Sequence, residues 1–319
     1  MPFLIGTDEA GYSPNLGPLV ISASVWWLDD GDVDLYKRLK SVLCKEPSRK
    51  APLRRLAIAD SKALYSTAQG LGCLERGVLA ALGLLNDSPE NWLGVWQRLA
   101  PCAVDNLPSL PWHAEYELPV PLAADGDELA TLIPKLAKAF ERAGVRLVAL
   151  KSRAVFPDEF NRATLEYGNK AEALSRITLE LLAQALELCG DQPVLAVGDK
   201  HGGRNQYSRL LQQQFPDVLI EVHGESLLES IYRWGPEGSR IDLRFKAGGE
   251  SFLPVALASM ASKYLRELSM RAFNDFWCGR VENLAPTAGY PVDARRFMAA
   301  IQGVQAELGI NRAVLWRER

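Results

Sequence analysis

Carboxylates at the ends of apolar runs are the residues of this chain whose types and placing could do chemistry. Asp8-Glu9 closes the apolar run Phe3–Thr7 and opens a glycine- and proline-rich stretch, Ala10–Pro18. Asp199 follows a second apolar run, Pro193–Val197. Glu267 lies between Lys263 and Arg271 at i, i+4 and i+8 of a helical pattern. Each has a plain reading when taken alone. The acidic pair reads as a solvated turn, Asp199 as a turn carboxylate paired with Lys200, and Glu267 as the middle of an exposed salt-bridge ladder. Gathered in one place, the same groups would hold hard divalent cations. Two such ions about 4 Å apart activate a water and stabilise the leaving oxygen in phosphodiester hydrolysis. Magnesium prefers oxygen ligands and keeps several waters, so four carboxylates with a substrate phosphate suit it, and manganese is a close substitute. The three histidines, at 113, 201 and 223, are scattered and offer no zinc spacing.

The elements that must position these groups follow from periodicity. Phe3–Thr7 and Leu19–Trp27 read as a long hairpin. Lys62–Leu85 reads as a helix, with Ser66 and Gln69 spaced as a capping box and Leu71, Leu74, Val78, Leu82 and Leu85 on one face. Residues 86–122 change character, with six prolines among Trp92, Trp96 and Trp112, and read as a partly irregular appendage whose tryptophans are buried. Leu129–Ala143 reads as an amphipathic helix and Val145–Lys151 as a strand. Helices over Asn169–Leu188, Tyr207–Gln214 and Ser251–Phe276 then alternate with strands over Pro193–Val197 and Val218–Val222. A hairpin followed by such alternation implies a mixed sheet flanked by helices.

Bulk properties narrow the classes. At 319 residues, 48% hydrophobic and 24% charged, the chain can bury a large core without disulfides or structural metals. Five cysteines, odd in number and never in a CxxC pair, argue against a disulfide framework and point to a reducing cytoplasm. No run approaches the roughly 20 apolar residues of a membrane helix, and no signal peptide is readable before Asp8-Glu9. A net charge of −3 excludes a uniformly basic nucleic-acid binder. Locally the balance differs: between Lys37 and Lys62 nine basic residues face two acidic ones, either a solvated arm or a phosphate-contacting loop.

Five ordered motifs tie the carboxylates together. Asp8-Glu9-Ala10-Gly11, with Pro14 and Gly17-Pro18-Leu19-Val20, resembles the opening of the type 2 ribonucleases H, a DEAG turn before a GP-V-V strand. Ala59-Asp60-Ser61-Lys62-Ala63-Leu64 is similar to that family's DSK-x-L motif, and Leu195–Asp199 to its strand ending in a lone aspartate. Ala258–Glu267 is similar to its A-S-I-x-A-K-V-x-R-D helix, and Gly289-Tyr290-Pro291 to its GY-x-T turn. The match covers residues 1–85 and 145–300 and leaves the stretch between unmatched. The resemblance implies a ribonuclease H-like α/β fold: a mixed five-stranded sheet flanked by helices, a catalytic domain over 1–85 and 144–319, an insertion over 86–143, and a helical C-terminal part. It implies catalytic and metal-holding roles for Asp8, Glu9, Asp199 and Glu267, with Asp275 and Asp293 as fallback candidates. It places substrate contacts at Gly11, Tyr12, Ser13, Lys62, Lys263 and Tyr290. The implied cofactor is a pair of Mg²⁺ or Mn²⁺ ions, the implied partner an RNA–DNA hybrid, and no membrane or obligate protein partner is expected.

Two departures bear on substrate. Where the family has Gly-Arg-Gly, whose backbone and arginine read a ribonucleotide at an RNA-to-DNA junction, this chain has Gly11-Tyr12-Ser13. Where the family has aspartate, it has Glu267, which reaches one methylene further. The expected activity is endonucleolytic cleavage of RNA in hybrids, leaving a 3′-hydroxyl and a 5′-phosphate. The alternatives are a nuclease of the same fold for another structured nucleic acid, and a non-catalytic nucleic-acid-binding protein.

Overall fold

The structure is a computed structural model that describes residues 2–47, 55–66 and 70–318. Among these, seven strands form one sheet: β1 (Phe3–Ala10), β2 (Leu19–Leu28), β3 (Val145–Val155), β4 (Val194–Asp199), β5 (Glu221–Glu225), β6 (Glu229–Trp234) and β7 (Ile241–Lys246), in the spatial order β3-β2-β1-β4-β7-β6-β5. β1 pairs antiparallel with β2 and parallel with β4, and β4 pairs parallel with β7. The expected mixed sheet flanked by helices is present. It is wider than five strands because the hairpin β5–β6 extends it beyond β7. The sequence reading missed β6 and β7, although both alternate: Ile241, Leu243 and Phe245 interleave with Asp242, Arg244 and Lys246.

Each face of the sheet carries its own core. On one side the helices Lys170–Glu187 and Ser208–Gln214 pack on Ile5, Ile21, Val25 and Phe245. On the other lies the 26-residue helix Leu253–Cys278, whose Leu257, Met260, Tyr264, Leu265 and Leu268 are fully buried. Its first turn is pressed against β1. A side chain at Gly6 would put its Cβ 2.0 Å from the Pro254 carbonyl carbon, so only glycine lets helix and strand approach this closely. The helix expected over Lys62–Leu85 is two, Ser61–Leu64 and Gly72–Leu84. Gln69 of the expected capping box, and Arg49, Lys50 and Arg54 of the basic stretch, lie outside the described residues.

Residues 86–143 share the core of the long helix. Trp92, Trp96 and Trp112 are buried, as their number among prolines led us to expect, and Trp92 Nε1 donates to the Leu268 carbonyl at 3.1 Å. The backbone N–H groups of Leu122, Ala123 and Ala124 all donate to Glu75, whose other oxygen accepts from the Tyr264 hydroxyl at 2.9 Å. This buried carboxylate pins the segment to two helices, a purely structural use of charge. All five cysteines are unbridged, and no helix among the described residues is long and apolar enough to cross a membrane.

Candidate active site

Sheet register brings the first carboxylates together. The last parallel pair between β1 and β4 is Thr7 with Gly198, so Asp8 and Asp199 are the next residues on neighbouring strands at the same edge. Beneath them runs a layer of hydroxyls. Ser262 donates to the Asp8 carbonyl at 3.0 Å and lies 2.8 Å from the Ser22 hydroxyl, and Ser22 is 2.7 Å from Ser152 on β3. Ser259 reaches the Asp8 carboxyl and also donates to Ser61 at 3.0 Å. The serines of the Ala258–Ser262 motif therefore bolt the long helix to three strands and orient Asp8. Buried hydroxyls of this kind remain only where each finds a partner.

Burial dominates the electrostatics. It holds the Asp8 carboxyl well above the usual carboxylate range, and Glu9, Asp199 and Glu250 add to the effect against the Ser259 hydrogen bond. Burial, then the Asp199 charge, pushes Glu9 up to about 7, with Lys62 opposing. Glu250 is also raised, by burial and by Asp199 and Asp60. Burial is the larger cause in each case, and the neighbouring carboxylates add to it. Among the described residues the cation that opposes these shifts is Lys62, at the start of the helix Ser61–Leu64. Its Nζ lies 3.9 Å from Glu250 while the side chain is 82% exposed. Burial works against this ammonium, but Asp60, Glu250, Asp8 and Asp199 outweigh it and raise its pKa.

Glu250 also lies in this field, a residue the sequence reading passed over. It lies in the Gly249–Ser251 turn between β7 and the long helix, and its neighbour Gly249 donates its N–H to Asp199 at 3.1 Å. Glu267 stands elsewhere on the long helix. It accepts from the Tyr65 hydroxyl at 2.7 Å and from Lys263 Nζ at 2.5 Å, and Lys263 in turn caps the Tyr65 ring at 4.5 Å. Lys263 and Glu267 of the ladder are thus engaged with each other and with Tyr65. Asp275 accepts from the Tyr116 hydroxyl, and Asp293 is held by Thr287 and Arg296, so both fallback candidates have structural partners.

The loop after β1 is held from below by two buried arginines. Arg266 donates to the carbonyls of Leu16, Pro18 and Ala288. Arg317 donates to those of Gly11 and Pro14, while its backbone pairs with Asn15 in both directions at 2.7 and 2.8 Å. Gly11 has φ +86°, and a Cβ there would meet the Arg266 side chain at 2.8 Å. Tyr12 is half-buried, its hydroxyl pKa raised by burial and by Glu9 with Arg204 opposing, and Lys170 Nζ lies 4.6 Å from its ring centroid. Ser13 is exposed. The Gly289 carbonyl accepts from the backbone of Asn15 and Leu16, which sets Tyr290, 54% exposed, beside the same loop.

The donor set is all oxygen, which matches a hard divalent cation. Among the described residues no three His, Cys, Asp or Glu side chains converge tightly enough to chelate one ion between them. The carboxylates are spread within electrostatic reach of each other. Magnesium takes one or two carboxylates and completes its shell with waters and substrate phosphate, so an open set of this kind fits it better than a closed cage.

No family model matches the chain, and no curated protein is similar to it in sequence. Its structure is similar to those of several ribonucleases H. A chain of the PCNA:RNase HII complex from Archaeoglobus fulgidus is 17% identical, with 99% of this chain and 94% of that one covered and a TM-score of 0.45. The ribonuclease H2 from Pyrococcus horikoshii is 14% identical over 98% of this chain and 92% of that one, at a TM-score of 0.39. Aquifex aeolicus RNase H3 is 13% identical over 98% and 71%, at 0.41.

Proposed function

We propose that the chain is a metal-dependent endonuclease of the type 2 ribonuclease H kind, cutting the RNA strand of RNA–DNA hybrids to leave a 3′-hydroxyl and a 5′-phosphate. The observation that carries this reading is that Asp8 and Asp199 end neighbouring parallel strands, with Glu9 beside Asp8 and Glu250 in the turn whose Gly249 N–H donates to Asp199, so that the four carboxylates lie within electrostatic reach of one another. Concentrated negative charge is useless for holding a polyanion directly and useful for holding cations that do. A protein that only bound nucleic acid would gain nothing from it.

Asp8, Glu9, Asp199 and Glu250 would hold two Mg²⁺ or Mn²⁺ ions, which supply a nucleophilic water and charge for the leaving oxygen. The other residues position and attract. Ser259 and the Gly249 N–H aim Asp8 and Asp199. Lys62, long and exposed beside them, draws the substrate phosphate toward the rim. Gly11, Tyr12 and Ser13, on the arginine-braced loop, and Tyr290 beside it line the approach; an exposed phenol ring there suits stacking on a sugar or base. Glu267 and Lys263 act one layer back, fixing Tyr65. Residues 86–143, the proposed insertion, brace the long helix from behind.

A second reading, cleavage of another structured nucleic acid, is favoured by one observation. In place of an arginine on the loop, a cation is supplied by Lys170 from a neighbouring helix, over the Tyr12 ring. The deciding experiment is a cleavage assay with Mg²⁺ or Mn²⁺ on hybrids, DNA and RNA duplexes and junctions. Hybrid cutting with 5′-phosphate products supports the first reading. Cutting of another substrate alone supports the second.

A further inference from the structure

The hairpin that widens the sheet ends in a tip whose residues contradict its turn. Ser226 and Glu229 close it, with Ser226 N–H donating to the Glu229 carbonyl at 3.0 Å and Glu229 N–H to the Ser226 hydroxyl at 3.1 Å. The two residues between them are Leu227 and Leu228, 77% and 76% exposed. Turn positions of this kind favour glycine, asparagine, aspartate or serine. Two adjacent leucines there gain no burial in the free protein. Single exposed leucines are ordinary, but a pair on a rigid tip marks a contact surface.

The tip is rigid because two neighbours hold it. Lys200, the residue after Asp199, donates its Nζ to the Ser226 carbonyl at 2.6 Å and to the Ser230 hydroxyl at 3.0 Å. Ala247 N–H donates to the Leu228 carbonyl at 2.8 Å. Ala247 is three residues before Glu250, a chain distance of at most about 11 Å. The leucines are therefore fastened to the two segments that carry Asp199 and Glu250, and the pairing of Glu229 with Lys246 and of Lys246 with Asp199 sets the tip at the same end of the sheet as the carboxylates.

We propose that Leu227 and Leu228 form an apolar wedge that enters the minor groove of the bound duplex beside the cut site and partly unstacks a base step. Apolar side chains inserted from the minor groove are an established means of gripping and bending a duplex. The wide, shallow minor groove of A-like hybrids leaves base edges and sugars open to a two-residue tip. The occupant follows from continuity with the carboxylate site, and the inference rests on the nuclease reading given above.

The test compares the protein with L227S/L228S on an RNA–DNA hybrid carrying 2-aminopurine at successive positions, in metal-free buffer so that no cutting intervenes. For the unmodified protein we expect a fluorescence rise at one or two steps only. The double variant should lose that rise and bind at least about 100-fold more weakly, the scale of two leucines returned to water. Its dependence of affinity on salt should be unchanged, because no phosphate contact is removed. Equal affinity and equal fluorescence in the two proteins would overturn the wedge while leaving the nuclease reading intact, and would assign the tip to a protein partner. A flattened salt dependence would also overturn it. Failure of the unmodified protein to bind any duplex, with or without Mg²⁺, would overturn both.

Discussion

Glu9 offers the sharpest quantitative handle on the site. Its carboxyl is pushed up to about 7 by burial and by Asp199, against an ordinary value of 4.5. At about 1.4 kcal/mol for each pH unit, the difference amounts to about 3 kcal/mol. The sign follows from proton binding. With a folded pKa above the unfolded one, the native state holds more protons between pH 4.5 and 7, so stability falls as pH rises through that window. The contribution is fully present below the unfolded value and lost above the folded one. The perturbation is Glu9→Gln, which removes the titration but keeps the shape. In metal-free buffer the variant should match the unmodified protein near pH 4.5 and exceed it by about 3 kcal/mol at pH 8. Denaturant melts across this range, with and without Mg²⁺, measure the difference. Cations at the site should repay the ionisation cost, so Mg²⁺ should stabilise the unmodified protein more at pH 8 than at pH 5, and Glu9→Gln far less at either. A constant difference between variant and parent from pH 4.5 to 8 would refute the reasoning, since it would mean Glu9 titrates alike in the folded and unfolded chain.

Further outcomes follow from particular contacts. Glu250→Gln should lower metal-dependent cleavage by at least the roughly 100-fold that accompanies loss of a partner to a bound metal, while Glu267→Gln, which only loosens Tyr65 and Lys263, should cost about 10-fold or less; the reverse order in a steady-state assay would return the fourth position to Glu267. Arg317→Ala strands the Gly11 and Pro14 carbonyls and should destabilise the fold by about 1–3 kcal/mol, with KM rising more than kcat falls; a pure loss of stability with unchanged KM would free the loop of any part in substrate binding. A duplex with several consecutive ribonucleotides should be cut much faster than one with a single ribonucleotide, and Tyr12→Arg with Ser13→Gly should narrow the gap; equal rates in the parent would show that this segment does not govern recognition.

The parts of the site legible in the sequence are those where an apolar run stops at a carboxylate. Asp8 and Asp199 satisfy that pattern, and the parallel pairing of their strands then sets them side by side. Glu250 satisfies it too, one glycine turn after the alternating run Ile241–Lys246. It was passed over because that run is half charged and Arg244 and Arg233 share Asp242, which masks the strand. The motif match names Glu267 for the fourth position; Ser262 on the same helix meets Asp8 while Glu267 meets Tyr65, and the paired Glu250 and Glu267 variants decide between the two. The bracing of the loop by Arg266 and Arg317 and the Glu75 clamp are illegible, because they rest on contacts such as Leu122 to Glu75, Arg266 to Leu16 and Arg317 to Gly11, which lie 47, 250 and 306 positions apart and which periodicity cannot report.

The central claim is that these carboxylates hold metal for phosphodiester cleavage rather than stabilise the fold, and the most direct test is the pair Asp8→Asn and Asp199→Asn. Cleavage of a hybrid in Mg²⁺ and binding of the same hybrid without metal are measured together. The account predicts that cleavage is abolished while metal-free binding is unchanged or tighter, because negative charge has been taken from the path of the phosphates. Undiminished cleavage in folded variants, or weaker metal-free binding, would contradict it.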